Sequence, residues 1–262
     1  MTSKADTTID ENVPSLTRRR LLGSGVGIAA SVPFVGVLAG CNNDPESTET
    51  SNASGKASPE PRPQSAADAL ERLLAGNERF VEGEPTNAGR DSVRRAELVE
   101  SQAPFAAIVG CSDSRVPPEV LFDQGLGDLF TVRVAGNTAT DPIVLGSVEY
   151  AAEHLGSALV MVLGHQSCGA VGGAVAEVID GAKQPGSIGD FIAPIVPVVE
   201  EVTDRQPDLS EEALLERCVR ANVEAAVADL ENAELLAHLV ETDKLMIVGA
   251  EYKLDSGKVT LL

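Results

Sequence analysis

The chain has 262 residues, of which 43% are hydrophobic and 3% aromatic, with no Trp. That length makes one large domain or two small ones, with a mainly aliphatic core. A formal net charge of −20, from 40 acidic against 20 basic residues, excludes a nucleic-acid binder, which needs a basic face for phosphates. Arg outnumbers Lys, and an acidic, Lys-poor surface suits a halophilic protein, because salt screens its self-repulsion.

In chain order, residues 1–40 read as an address. Thr17-Arg-Arg-Arg-Leu-Leu22 opens an apolar run that continues to Ala39, broken only by Gly, Ser and Pro33. Basic flank, apolar stretch and small residues follow the order of a signal peptide. The arginines ahead of two leucines resemble a twin-arginine export signal. Leu38-Ala-Gly-Cys41 resembles a lipobox, which implies cleavage before Cys41 and lipidation of its sulfur. The chain is then exported and anchored on the extracytoplasmic face of a membrane, through that N-terminal lipid only. Residues 42–64 contain no Leu, Ile, Val or aromatic residue. They bury too little surface to offset their ordering entropy, so 41–64 reads as a disordered tether.

The folded part is expected over 65–262. Leu70, Leu73, Leu74 and Phe80 fall at helical spacing and predict an amphipathic helix over 65–81. No partner lies near it in sequence, so this helical arm is expected to pack across a subunit boundary. Short apolar runs at 105–110, 129–134, 158–164 and 245–250 read as strands buried on both faces. Helical patterns at 142–155, 168–179, 188–202 and 210–230 alternate with them. This alternation predicts an α/β fold with a central, mostly parallel β-sheet flanked by helices. Asp255-Ser-Gly257 turns the chain back, so 258–262 adds an antiparallel edge strand to about four parallel ones.

Cys111-Ser-Asp-Ser-Arg115 follows the first strand, and His165-Gln-Ser-Cys168 follows the third. Open α/β sheets build sites beyond the carboxyl ends of their strands. Cys111 and His165 are expected to meet there, and Cys168, in the first turn of the next helix, to share the same metal. Two thiols and an imidazole form a catalytic zinc set with a fourth position for water, whose pKa the metal lowers. Two thiolates cancel the metal's charge, which predicts an activity optimum on the alkaline side of neutral. Alternate residues of an extended segment share a face, so Asp113 and Arg115 are expected to look into the site. Arg115 can hold Asp113 as a bidentate pair. Released, Asp113 can instead become a fourth metal ligand in a closed state. The alternative is that this closed arrangement is a permanent structural clip. Cys218 reads as a buried core thiol, and His154 and His238 as helix-surface residues.

At these residues the chain resembles the β-class carbonic anhydrases, over roughly 66–262. The resemblance rests on C-S-D-S-R and H-x-x-C in that order. Gly76-Asn-Glu-Arg-Phe80, Arg133-Val-Ala-Gly-Asn137 and Gly164-His-Gln-Ser-Cys-Gly169 support it. It implies one Zn²⁺ per subunit on Cys111, His165 and Cys168, with Asp113–Arg115 as the catalytic dyad. The implied reaction is reversible hydration of CO₂ to bicarbonate and a proton by hydroxide held at zinc. Further implied are substrate contacts from Gln102 and the Gly169 N–H, and a pocket lined by Phe130, Ala135 and Tyr150 at a dimer interface. The chain is accordingly expected to be a homodimer or a higher even oligomer. The family also contains bicarbonate-gated enzymes with a Trp three residues before the first Cys. Here that position is Ile108, so an ungated, open site is expected at rest. Hydrolysis of CS₂ or COS on the same scaffold, and a non-catalytic zinc-binding surface lipoprotein, are the competing readings.

Overall fold

The computed structural model describes residues 60–262. The export signal, Cys41 and most of the tether lie outside the described residues. Five strands form one sheet: β1 Ala106–Cys111, β2 Leu129–Val134, β3 Leu159–His165, β4 Met246–Tyr252 and β5 Val259–Leu261. Their order is β2-β1-β3-β4-β5, with the first four parallel and β5 antiparallel to β4. The fold class is the one the apolar runs predict.

The helices are α1 Ala66–Glu82, α2 Ser92–Glu97, α3 Pro118–Leu121, α4 Pro142–Glu153, α5 Gly169–Asp180, α6 Ile188–Ile192, α7 Val196–Arg205, α8 Glu211–Glu231 and α9 Glu234–Glu241. Every residue of β1 and β3 is buried, and successive side chains point to opposite faces. Ile108, Leu159, Met161 and Leu163 pack with α1, α5 and α7. Ala107, Val109, Val160 and Val162 pack with α4 and α9. The 21-residue α8 contributes Cys218 and Val219 to the first layer and Val223, Ala226 and Leu230 to the second. Among the described residues, no helix is long and apolar enough to cross a membrane.

The helical arm has partners within its own chain. The α1 helix, capped by Ser65 through Asp68 N–H at 3.1 Å, buries Ala69, Leu73, Gly76 and Asn77 against its own chain. A Cβ on Gly76 would overlap the Phe122 carbonyl oxygen, so glycine permits the close approach. The Asn77 amide donates to the Leu121 and Gly257 carbonyls at 3.1 and 2.9 Å, and its oxygen accepts from Val259 N–H at 2.8 Å. These partners are remote in sequence, which is why the sequence showed none. Arg62 donates to the Gly156 carbonyl at 2.6 Å, and Arg72 to that of Pro61 at 3.2 Å, holding 60–64 on the domain.

The single helix expected over 188–202 is two, α6 and α7. Pro194 lies between them and lacks the N–H that would bond back into the preceding turn, although Ala193 before it keeps helical backbone.

Candidate metal centre

Cys111 ends β1, His165 ends β3, and Cys168 is the N-cap residue of α5. Because β1 and β3 are neighbours and β2 lies on the other side of β1, their carboxyl ends open at the point where strand order reverses. After His165 the chain turns through Ser167, in the left-handed region at φ 53°. That turn brings Cys168 back to the strand ends. The Sγ atoms of Cys111 and Cys168 and a ring nitrogen of His165 lie within 4.8 Å of one another, and all three residues are buried.

The donor set fits a tetrahedral zinc ion, whose ligand atoms stand roughly 3.5–3.8 Å apart at ordinary Zn–S and Zn–N lengths. His165 Nδ1 lies 2.9 Å from the Gln166 carbonyl oxygen. That contact assigns the proton to Nδ1 and leaves Nε2 as the free electron pair. Nε2 is buried and has no hydrogen-bond partner, an atom that a metal would satisfy. The Cys168 thiol donating to Cys111 is the main force that lowers the Cys111 pKa to about 4, with His165 and the Gly136 and Asp113 N–H groups outweighing burial. The same bond, together with burial, pushes Cys168 up. Burial lowers the His165 pKa, but the adjoining Cys111 thiolate and the Gln166 carbonyl raise it overall.

Asp113 stands beside the three ligands. Arg115 Nε reaches its Oδ1 at 2.9 Å and Nη2 its Oδ2 at 2.7 Å, and the Arg115 N–H adds a bond to Oδ1 at 2.9 Å. These bonds hold the Asp113 carboxyl well below the usual carboxylate range, despite some burial. The segment is a turn after β1 and not the extended run expected. The turn lets a residue two positions on bond the carboxylate with backbone and side chain together. Asp113 Oδ2 remains 3.9 Å from His165 Nε2, turned to Arg115.

A second layer supports these groups. Arg133, from β2, donates to the Cys111 carbonyl at 2.9 Å and the Asp113 carbonyl at 2.6 Å. Gly136, at φ 79°, directs its N–H to Cys111 Sγ at 3.4 Å. A Cβ there would stand 2.6 Å from Ile195 Cδ1. The buried Asn222 of α8 donates to the Gly136 carbonyl at 2.7 Å. Sequence reading assigned no role to Arg133 or Asn222. Their signals were an Arg within an apolar strand and an Asn within an apolar helix face.

The centre opens into a cleft of about 230 Å³ lined by Cys111, Asp113, Ala135 and Gly169 together with Ile188 and Phe191. Ala135 and Gly169, which the resemblance implies as pocket and substrate-contact residues, both line this cleft. Gly169 is the first residue of α5, so its N–H is one of the unpaired donors of a helix N-terminus. The other three pocket residues are elsewhere on the same chain. Gln102 is exposed and borders a separate depression with Arg95, Leu98, Val99 and Leu126. Phe130 pairs in register with Ala107, four residues before Cys111, or roughly 13 Å along the strand. Its ring lies 6.3 Å from that of Tyr150, which is 46% exposed. Cys218 is fully buried, and burial pushes its thiol up to about 11. His154 and His238 are exposed.

Residues 106–259 match the family model described as "Carbonic anhydrase". Carbonic anhydrase 2 of Mycobacterium tuberculosis is 41% identical over 194 residues, 74% of this chain and 91% of the relative. The β-carbonic anhydrase of Coccomyxa, solved with acetazolamide, superposes with a TM-score of 0.60 at 28% identity, covering 74% of this chain and 86% of that one. A β-carbonic anhydrase of Sordaria macrospora, described as tetrameric, shares the fold with a TM-score of 0.61 at 23% identity, over 74% and 97% of the two chains.

Proposed function

Because the chain belongs to the carbonic anhydrase family and has the β-class fold, we propose that its centre hydrates CO₂ reversibly to bicarbonate and a proton. The observation that carries this reading is the meeting of Cys111, His165 and Cys168 beside an Arg-held carboxylate. Zinc bound there would supply Lewis acidity that makes a nucleophile available from water near neutral pH. The protein's own groups do the rest. Cys111 and Cys168 would hold it as thiolates, and His165 through Nε2, with Nδ1–H anchored on the Gln166 carbonyl. Asp113 is ionised throughout the working range, so its Oδ2 accepts a hydrogen bond and orients the donor, without serving as a store for the proton. Arg115 keeps that carboxylate turned away from the ligands, leaving the site open. The Gly169 N–H is placed to stabilise charge growing on a substrate oxygen. Ala135, Ile188 and Phe191 form an apolar wall suited to a linear, apolar gas.

Gln102, Phe130 and Tyr150 complete this picture only from a second subunit. The resemblance puts the pocket at a dimer interface, and the relative described as tetrameric is an even assembly. The proposed state is a homodimer or higher even oligomer, which sedimentation at working salt tests; a monomer that retains full activity overturns it. The location follows from residues 1–41 alone. The twin-arginine pattern and lipobox support export and lipidation at Cys41, and mass spectrometry of the native protein would detect an intact Met1 if this is wrong.

The central test is stopped-flow CO₂ hydration with the zinc-loaded protein. Activity is expected to vanish on chelation and return with zinc. Equal rates with and without the metal overturn the proposal.

A further inference from the structure

The cleft contains a polar side chain from the segment joining α5 to α6. Its other side-chain polar groups are those of Cys111, Ser112 and Asp113. Cys111 is a ligand and Asp113 is an ionised acceptor, so neither can donate to a substrate oxygen. Gln184 is half-buried and lines the same cleft as Cys111 and Asp113. Among the described residues its carboxamide has no hydrogen-bond partner. Its Nε2 lies 3.8 Å from the point a Cβ would occupy on Gly173. Gly173 follows Gly169 by four residues and shares its helix face. The amide therefore lies over the face of α5 that carries Gly169, in room that a larger residue at 173 would fill.

We propose that Gln184 is a substrate-contacting residue whose carboxamide N–H donates to an oxygen of bicarbonate, and to the corresponding oxygen of CO₂, setting a preference for oxygen over sulfur substrates. This rests on the proposed function above and extends it to a donor on the same subunit as the metal ligands. The chemistry is that of a neutral amide facing an apolar wall. It can donate to an oxygen, whereas a sulfur of CS₂ is a poor acceptor, and a site that loses such a bond discriminates less.

The test compares the zinc-loaded full chain with Gln184→Ala and Gln184→Glu variants. Bicarbonate affinity is read by calorimetry, and KM for bicarbonate dehydration by stopped flow. Gln184→Ala is expected to raise Kd and KM for bicarbonate about tenfold, the size of one lost hydrogen bond to a charged group, with zinc content unchanged. Gln184→Glu is expected to raise both further through like-charge repulsion. The ratio of CS₂ to CO₂ turnover is expected to rise in Gln184→Ala. Gln184→Asn, which keeps the amide but withdraws it by one methylene, guards against a folding defect and is expected to weaken bicarbonate binding as well. An active wild type whose Gln184→Ala and Gln184→Asn variants keep Kd and KM within about twofold overturns this inference alone. A wild type that neither hydrates CO₂ nor binds bicarbonate overturns the proposed function and this inference with it.

Discussion

Asp113 receives three hydrogen bonds from Arg115, two from the guanidinium and one from the backbone. That partnership makes the carboxylate a fixed acceptor. Arg115→Ala frees it to turn toward the metal, and Asp113→Asn replaces an acceptor oxygen with a donor. Each variant is expected to lose about 10²–10³ in kcat while retaining zinc, measured by stopped flow and metal analysis; wild-type rates in both would leave the dyad without a role. The sign of the pH effect follows from the same bonds. The folded pKa of Asp113 lies below its unfolded value of ~3.9. Its contribution to stability is therefore present above that value and lost as pH falls through the folded pKa. Asp113 thus stays ionised in the working range and does not shape the pH–rate profile there. The metal set does: two thiolates and a neutral imidazole leave zinc less positive than three imidazoles would. Hydration is expected to rise toward the alkaline side of neutral, and a flat profile down to pH 6 would contradict this.

At the scale of elements, the centre depends on how three chain segments end. β1 and β3 stop at Cys111 and His165, and the turn after β2 brings the Gly136 N–H to Cys111 Sγ. Asn222 on α8 locks that turn by bonding the Gly136 carbonyl at 2.7 Å in a buried setting. Asn222→Ala leaves a buried acceptor unpaired and is expected to cost about 1–3 kcal/mol in stability, read by denaturant unfolding, and to weaken zinc retention against a chelator. Unchanged stability and metal affinity would show that the turn holds itself. Sequence periodicity identified the strands and the long helices because their buried runs are continuous or regularly spaced. The helices α2, α3 and α9 span 6, 4 and 8 residues, too short to establish a helical period. Proline placement, not hydrophobicity, divided α6 from α7.

For the whole molecule, the outstanding features are its acidity and the distance of Gln102, Phe130 and Tyr150 from the metal centre. The net charge of −20 repels itself across the surface, and salt screens that repulsion. The protein is proposed to be halophilic, with a melting temperature that rises from low to molar salt. A flat or falling trend would mark it as an ordinary acidic protein. The pocket has the same whole-molecule character. Phe130 and Tyr150 lie together away from the metal centre, and Ile143, on the same helix as Tyr150, is 80% exposed. Those surfaces are where the proposed oligomer is expected to bring a second copy into contact.

By itself, the sequence determined the chemistry and the class of fold. Cys111, His165 and Cys168 have the softness and spacing of a zinc set, and uninterrupted apolar runs between helical patterns require a parallel sheet. Ligand identity is a property of residue type, and strand burial is a property of local composition, so both can be read along the chain. Tertiary structure alone decided what depends on distant neighbours. It placed Arg133 and Asn222 behind the ligands, docked α1 on its own chain through Gly76 and Asn77, and brought Gln184 and the α6 wall to the cleft. It also separated Gln102, Phe130 and Tyr150 from the centre on a single chain. Each of these depends on packing between segments far apart in sequence, and a local pattern carries no record of which segments will meet.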